Sequence, residues 1–310
     1  VNRAWLYPNA LGTNAEPGAE FAHVRRAYEV LRNVDLVHDH TLTGPVWAGS
    51  WRPDLPVVTT NHGPFTPEMI AHFGAFADRV PIIAISDAQR RSAPDVRVAD
   101  VIHHGVDVDE FPMGDGAGGY LLFLGRMSPD KGVHRAITVA RTAGMPLVIA
   151  AKMWEPEERR YFVDEVEPLL GAGVTYIGPV GGHRKLDLLA GATALVNPIR
   201  WPEPFGLVMI EALACGTPVL AFAEGSVPEI VEHGRTGFIC GDEADMARRV
   251  GEVSSLNRQS CRDSVAQRFS TRRFLERHVA LYRRVLADCP ARSGLCASDV
   301  ARPDADAYVR

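Results

Sequence analysis

From Tyr120 onward the chain repeats one unit: a short apolar run, a stretch of helical periodicity, then another short apolar run. YLLFLG (120–125), PLVIAA (146–151), VTYIG (174–178), ALVNP (194–198) and PVLAFA (218–223) read as strands. Helical patterns at 131–143, at 155–170, near 183–190 and after Phe205 separate them. Short strands spaced by helices predict a parallel sheet with helices on both faces. A weaker strand at GFIC (237–240) brings the count to six, as in a doubly wound nucleotide-binding domain.

The first half has the same character in a shorter form, with strand patterns at VDLVH (34–38), PVVTTN (56–61), PIIAIS (81–86) and DVIHHG (100–105). The glycine-rich stretch MGDGAGG (113–119) reads as a linker. The expected architecture is α/β, with two Rossmann-like doubly wound domains facing one another across a cleft. Residues 1–113 are expected to form the first domain and residues 119–268 the second, nucleotide-binding one. A long amphipathic helix at 269–288 is expected to pack back on the first domain, and 289–310 form a loose tail. The first domain is short. Its only opening-strand candidate is RAWLY (3–7), followed by a polar loop containing Gly12. The expectation is that the opening strand and its glycine loop lie upstream of Val1; the alternative is that RAWLY and the Gly12 loop are degenerate versions of them.

Composition removes several function classes. A chain of 310 residues is 46% hydrophobic and 23% charged, as soluble globular proteins are. No apolar run approaches the ~20 residues of a membrane span. The net charge of −5 gives no basis for bulk nucleic-acid binding. Five scattered cysteines without a CxxC pair argue against a disulfide framework or zinc site and fit a reducing cytosol. Lysine occurs only at 131, 152 and 185, a bias that reads as genomic base composition without functional content.

Two stretches carry chemistry. GRMSPDKG (125–132) sits where a strand ends and a helix begins, at the sheet edge where open α/β folds bind ligands. Arg126 offers a fork of donors and Lys131 a compact ammonium, a pair suited to a diphosphate; the plainer reading is a solvated loop. In WPEPFGLVMIEALACGTPV (201–219), an apolar helix carries Glu211 in its middle and Glu203 at its mouth. A buried carboxylate needs a polar partner, and a vicinal diol such as a ribose is one candidate. The other is a loop N–H, which would make Glu211 purely structural.

These residues resemble the family 4 retaining glycosyltransferases of the GT-B fold. EPFGLVMIE (203–211) is similar to the E-x7-E signature of that family, and GRMSPDKG to its G-R-x4-K-G phosphate motif. VDLVHDH (34–40), TTNHG (59–63), AISDAQRR (84–91), HHGVDVDEF (103–111) and GTPVLAFAEGSVPEIVEHGRTGFIC (216–240) resemble further landmarks of the family.

The resemblance implies a hexosyltransferase. It would move a hexose from a UDP- or GDP-sugar to an acceptor hydroxyl of a small molecule, glycan or lipid, with retention and without a metal cofactor. Arg126 and Lys131 would neutralise the diphosphate, with Gly125 beside them, and Glu211 would hold the ribose. Glu203 and the backbone of Phe205, Gly206 and Leu207 would grip the transferred sugar, the backbone around Ile177 and Gly178 would face the base, and His40 would reach the donor sugar from across the cleft. Charge developing on the leaving phosphate would be stabilised by Arg126, Lys131 and helix dipoles. Two alternatives share the architecture: a sugar-nucleotide epimerase and a non-catalytic nucleotide-sugar-binding homologue.

The chain departs from the pattern at His103-His104, where the family reads proline-asparagine, and at the unrecognisable first glycine loop. Asp107-Val108-Asp109 spells D-x-D, yet lies in the interdomain approach rather than at a metal site. His38 is expected to be packed, His62 to line the acceptor side, Glu224 and Gly225 to flank the sugar pocket, and Glu229 and Glu232 to lie on a helix surface.

Overall fold

The computed structural model describes residues 17–31, 33–51 and 55–288. RAWLY and the Gly12 loop lie outside the described residues, as does the tail from residue 289. Two parallel sheets organise the chain. In the first half α1 (Pro17–Val30), β1 (Val37–Asp39), α2 (Thr43–Trp51), β2 (Val57–Asn61), α3 (Pro67–Gly74), β3 (Ile82–Ala84), α4 (Asp87–Arg91) and β4 (Val98–Val101) follow in turn. The strands lie side by side in chain order, all parallel. Local sequence starts the helices: Thr66 accepts from the Met69 N–H (3.3 Å) just before Pro67, and Ser86 accepts from the Gln89 N–H (2.9 Å).

The fourth strand ends earlier than DVIHHG predicts. Ile102 still donates to the Ala84 carbonyl (2.9 Å), but Val106 donates to Phe269 (2.9 Å) and draws the chain out of the sheet. His103 and His104 therefore stand beyond the carboxyl end of β4.

The second half runs β5 (Leu121–Arg126), α5 (Val133–Ala143), β6 (Leu147–Lys152), α6 (Pro156–Tyr161), β7 (Val174–Tyr176), α7 (Gly182–Gly191), β8 (Ala194–Asn197), α8 (Leu207–Ala214), β9 (Val219–Phe222), α9 (Val227–Ile230), β10 (Gly237–Cys240), α10 (Glu243–Val250) and α11 (Arg258–Arg268). The strand order is β10-β9-β8-β5-β6-β7, all parallel. The order reverses between β5 and β8, and the crevice at such a reversal is where open α/β sheets bind ligands. Both faces are covered. Leu121, Phe123 and Ile149 pack under α5 and α10, while the alternate residues Leu122 and Leu195 pack under α8 and α11.

The helix expected over 155–170 is broken into three. A capping box between Glu155 and Glu158 starts α6, a π turn follows at Phe162–Val166, and a 3₁₀ turn at Glu167–Leu169 holds Pro168, which has no N–H to continue an α-helix. The linker is no free tether. Gly114, Gly116 and Gly118 donate to the carbonyls of Cys215 (2.9 Å), Ala190 (3.3 Å) and Gly191 (3.0 Å). A Cβ on Gly114 would stand 2.0 Å from the Ala190 oxygen, so glycine permits this close approach.

A final helix, α12 (Thr271–Ala287), lies against the first sheet. Leu281 packs with Ile83 and Ile102, Tyr282 Oη meets His38 Nδ1 (2.7 Å), and Arg277 and Arg284 both bind Asp100 (2.7 and 2.8 Å).

Candidate active site

A cavity of about 590 Å³ opens between the two sheets. One wall is the carboxyl edge of the second sheet: Gly125 and Arg126 end β5, Lys152 ends β6, Asn197 ends β8, and Lys131, Lys185, Glu203 and Glu211 approach from loops and helices. The first half contributes His62, Ile85 and His104. All three lysines of the chain line this one cavity, with Arg126 the sole arginine among the lining residues. The lysine positions that read as a composition bias thus share one wall.

Each catalytic-looking acid has a protein partner. Glu211 takes a hydrogen bond from Lys185 of α7 (2.8 Å), with side-chain exposures of 18% and 27%. Glu203 is bonded by Lys131 and by the Trp201 indole N–H (2.7 Å). Lys131 also lies 5.1 Å from the centroid of the Trp201 ring, and Arg126 pairs with Asp130 (3.3 Å). So the partner of Glu211 that sequence reasoning sought in a ligand is, in the protein itself, Lys185. These pairs hold charged groups at defined positions along the wall, where they remain partly open to a ligand.

Two glycines shape the loop that presents Glu203. Gly206 caps α8 at φ +88°, left-handed, and lets the chain turn from the loop into the helix. Gly225 (φ +52°) packs on the Glu203 backbone, where a Cβ would stand 2.2 Å from the Glu203 oxygen. Ser226 donates through its N–H to the Glu203 carbonyl (3.1 Å) and through its hydroxyl to the Phe205 carbonyl. The first turn of α8 follows, with Gly206, Leu207 and Val208 on the wall, adding the positive end of a helix dipole. Met209, Ile210, Ala212 and Leu213 bury the rest of that helix. Asn197, 5% exposed, presents an amide Nδ2 with no protein partner among the described residues.

The opposite wall is a histidine stack. The rings of His62 and His104 lie nearly parallel, 5.4 Å apart. His40, an exposed residue, lies beside the wall: its Nδ1 is 2.8 Å from His62 Nε2, but it is not among the lining residues. Burial, then the neighbouring His40 and His104, lowers His62 to about 4. Burial, then His278 and His40, lowers His104 to about 4. His38 is held behind them by Tyr282 and by Thr60 Oγ1 (2.7 Å). At neutral pH this wall carries uncharged imidazoles, able both to donate and to accept.

Of the residues that sequence reasoning selected, Gly125, Arg126, Lys131, Glu203, Phe205, Gly206, Leu207 and Glu211 share the wall, whereas His40, Ile177 and Gly178 do not. Pro179 and Val180, next in the chain, take the place of Ile177 and Gly178. Lys152, Lys185, Asn197 and His104 had no site role from the sequence; the scarcity of lysine was the signal available for the two lysines. Glu229 corrects a second expectation. It lies in the seam between the halves rather than on a surface, accepting from the Asp87 N–H (2.8 Å), the Ala88 N–H (2.6 Å) and His103 Nε2 (2.9 Å). Asp107 accepts from the Asp109 N–H (3.1 Å) as the cap of a 3₁₀ turn. Among the described residues no group of three His, Cys, Asp or Glu is placed to hold a metal ion, and no helix is long and apolar enough to cross a membrane.

Residues 115–268 match the family described as glycosyl transferases group 1, and residues 6–110 match glycosyltransferase family 4. The D-inositol 3-phosphate glycosyltransferase of Mycolicibacterium smegmatis is 28% identical over 83% of this chain and 69% of its own length. That of Mycobacterium bovis is 30% identical over 66% of this chain, which spans only half of it. The crystal structure of AviGT4, a glycosyltransferase involved in avilamycin A biosynthesis, superposes with a TM-score of 0.68 at 30% identity, covering 88% of this chain and 80% of that one. With both halves matched and four-fifths of a 30%-identical structure covered, the chain belongs to the glycosyl transferases group 1, family 4 enzymes of the GT-B fold.

Proposed function

We propose that this protein transfers a hexose from a nucleotide-diphosphate sugar, a UDP- or GDP-sugar, to an acceptor hydroxyl with retention of configuration and without a metal ion. The observation that carries the reading is the cavity wall itself. Four cations stand at the reversal point of the second sheet, with two carboxylates among them and two neutral histidines opposite. Arg126 and Lys131 bind the diphosphate and stabilise the charge that grows on it as the glycosidic bond breaks. Glu211, with Lys185 beside it, holds the ribose diol. Glu203 and the amides of Phe205, Gly206 and Leu207 hold hydroxyls of the transferred sugar, with the Asn197 amide as a further donor. His62 takes the cross-cleft position, backed by His40, and the acceptor attacks the face from which the nucleotide departs, its proton passing to the leaving phosphate. The buried free thiols Cys215, Cys240 and Cys261 suit work in a reducing cytoplasm.

The test is a thermal-shift screen against uridine-, guanosine-, adenosine- and thymidine-diphosphate sugars, followed by nucleotide-diphosphate release with added acceptors. A UDP- or GDP-sugar should raise the melting temperature, and Glu211→Ala should abolish that rise. Product anomers read by NMR should retain the donor configuration, and EDTA should leave the rate unchanged. An undiminished shift in Glu211→Ala refutes the ribose assignment, inverted product refutes retention, and turnover of the nucleotide sugar without acceptor replaces transfer with epimerisation.

A further inference from the structure

The chain uses 33 basic residues, and lysine stands only at 131, 152 and 185. Those three side chains share the cavity wall with a single arginine. Lysine differs from arginine in being a compact point charge on a flexible stem, where arginine is a wide planar fork. A chain that uses guanidinium almost everywhere else keeps ammonium groups where the cavity demands a small, movable charge.

The four cations of that wall are not equivalent. Arg126 has Asp130 at 3.3 Å, Lys131 has Glu203, and Lys185 has Glu211 at 2.8 Å. Lys152 has no carboxylate partner among the described residues. Its Nζ lies 4.4 Å from the centroid of the Trp154 ring, and Trp154 is 63% exposed. Lys152 closes β6 in direct register with Arg126, which closes β5, so the two side chains leave adjacent strands at the same edge. The uncompensated positive charge of the wall is thus beside the arginine assigned to the diphosphate.

We infer that Lys152 is a third diphosphate-binding cation, the one that captures the donor by charge. This rests on reading the cavity as a nucleotide-sugar site. The charges of Arg126 and Lys131 are partly offset by the carboxylates of Asp130 and Glu203. Lys152 has only to leave an aromatic face, a weaker hold than a carboxylate at hydrogen-bonding distance. Its field is therefore available to an incoming diphosphate first, with the Trp154 ring face holding the ammonium until the phosphate takes it.

Isothermal titration of UDP, GDP, ADP and TDP into the wild type, Lys152→Met and Lys152→Arg, at low and high salt, tests this. Lys152→Met keeps the stem and removes the charge. It should weaken every diphosphate that the wild type binds by about tenfold, by one common factor regardless of base. The loss should shrink as salt rises, and Lys152→Arg should recover part of it. The melting temperature of unliganded Lys152→Met should match the wild type; if it does not fold, Lys152→Gln against Lys152→Arg gives the same comparison. Unchanged affinity in the neutral variant, or a loss confined to one base, overturns the inference while leaving the donor site standing. A wild type that binds none of the four diphosphates overturns both.

Discussion

Glu229 is the residue whose loss should be felt furthest from its own position. It stands on α9 of the second half, with 14% of its side chain exposed, and binds two backbone N–H groups at the start of α4 and one imidazole beyond β4. Glu229→Ala removes three charge-assisted hydrogen bonds across the seam. Such bonds contribute about 1.5–3 kcal/mol each when buried; because water can replace the carboxylate at the α4 amides, the low end applies, giving about 3–5 kcal/mol in total. At roughly 2 °C per kcal/mol for a chain of this size, the melting temperature should fall by roughly 6–10 °C. Glu229→Gln keeps one acceptor oxygen and should lose about half as much. The effect should also depend on pH. Burial pushes the Glu229 carboxyl up, but the hydrogen bonds from His103, Asp87 and Ala88 outweigh it and hold it below its ordinary 4.5. A depressed folded value stabilises above 4.5 and loses that contribution as pH falls through the folded value. Calorimetry of wild type and Glu229→Ala from pH 7.5 downward should therefore show two melting temperatures that converge in acid. A variant that melts within about 1 °C of wild type at neutral pH, or a gap that stays full-sized in acid, refutes this role for Glu229.

Three further outcomes can be checked. Gly225→Ala puts a Cβ 2.2 Å from the Glu203 oxygen in a left-handed conformation that costs about 1–2 kcal/mol, so the Glu203 loop must move. Sugar transfer should drop by on the order of 100-fold with nucleotide-diphosphate affinity little changed, and an unaltered kcat/KM would contradict the role given to that loop. Glu203→Gln releases Lys131 from its partner, so a nucleoside diphosphate should bind a few-fold tighter, on the order of 1 kcal/mol, while turnover of the sugar donor falls. Parallel weakening of both refutes the division of labour between Lys131 and Glu203. His38, His62 and His104 are held to about 2, 4 and 4, below their ordinary 6.5. The unfolded chain takes up protons first, so their contribution is complete above pH 6.5 and declines as pH falls toward 4. The melting temperature should follow, less steeply in His62→Asn with His104→Asn; a flat profile over that range would rule it out.

Local pattern carried much of the second half. Strands β5 to β10 and helix α8 fall where apolar runs and helical periodicity put them, because both periods are properties of neighbouring residues. GRMSPDKG and the 203–211 stretch were legible for the same reason: each is short, contiguous and chemically unusual for its place. The interruptions were harder. The α-helical run gives way to a π turn after Tyr161 and to a 3₁₀ turn at Pro168, and Val106 leaves the first sheet to bond Phe269, a partner from the far side of the chain.

Neighbouring residues alone account for the alternation of strands and helices, the acid on α8 and the one before it, and the cationic loop after β5. Their partners come from contacts between distant elements. Lys185 meets Glu211 across 26 residues, Lys131 meets Glu203 across 72, and Glu229 reaches the Asp87 amide across 142. The strand order β10-β9-β8-β5-β6-β7 brings β5 beside β8 and gathers the three lysines at one edge. Sheet order put His62 beside His40 in the same way, since β1 and β2 end side by side. Periodicity acts between neighbours in the chain. Which charges meet across a cleft depends on how distant elements stack, and that is fixed by the packing of the whole core.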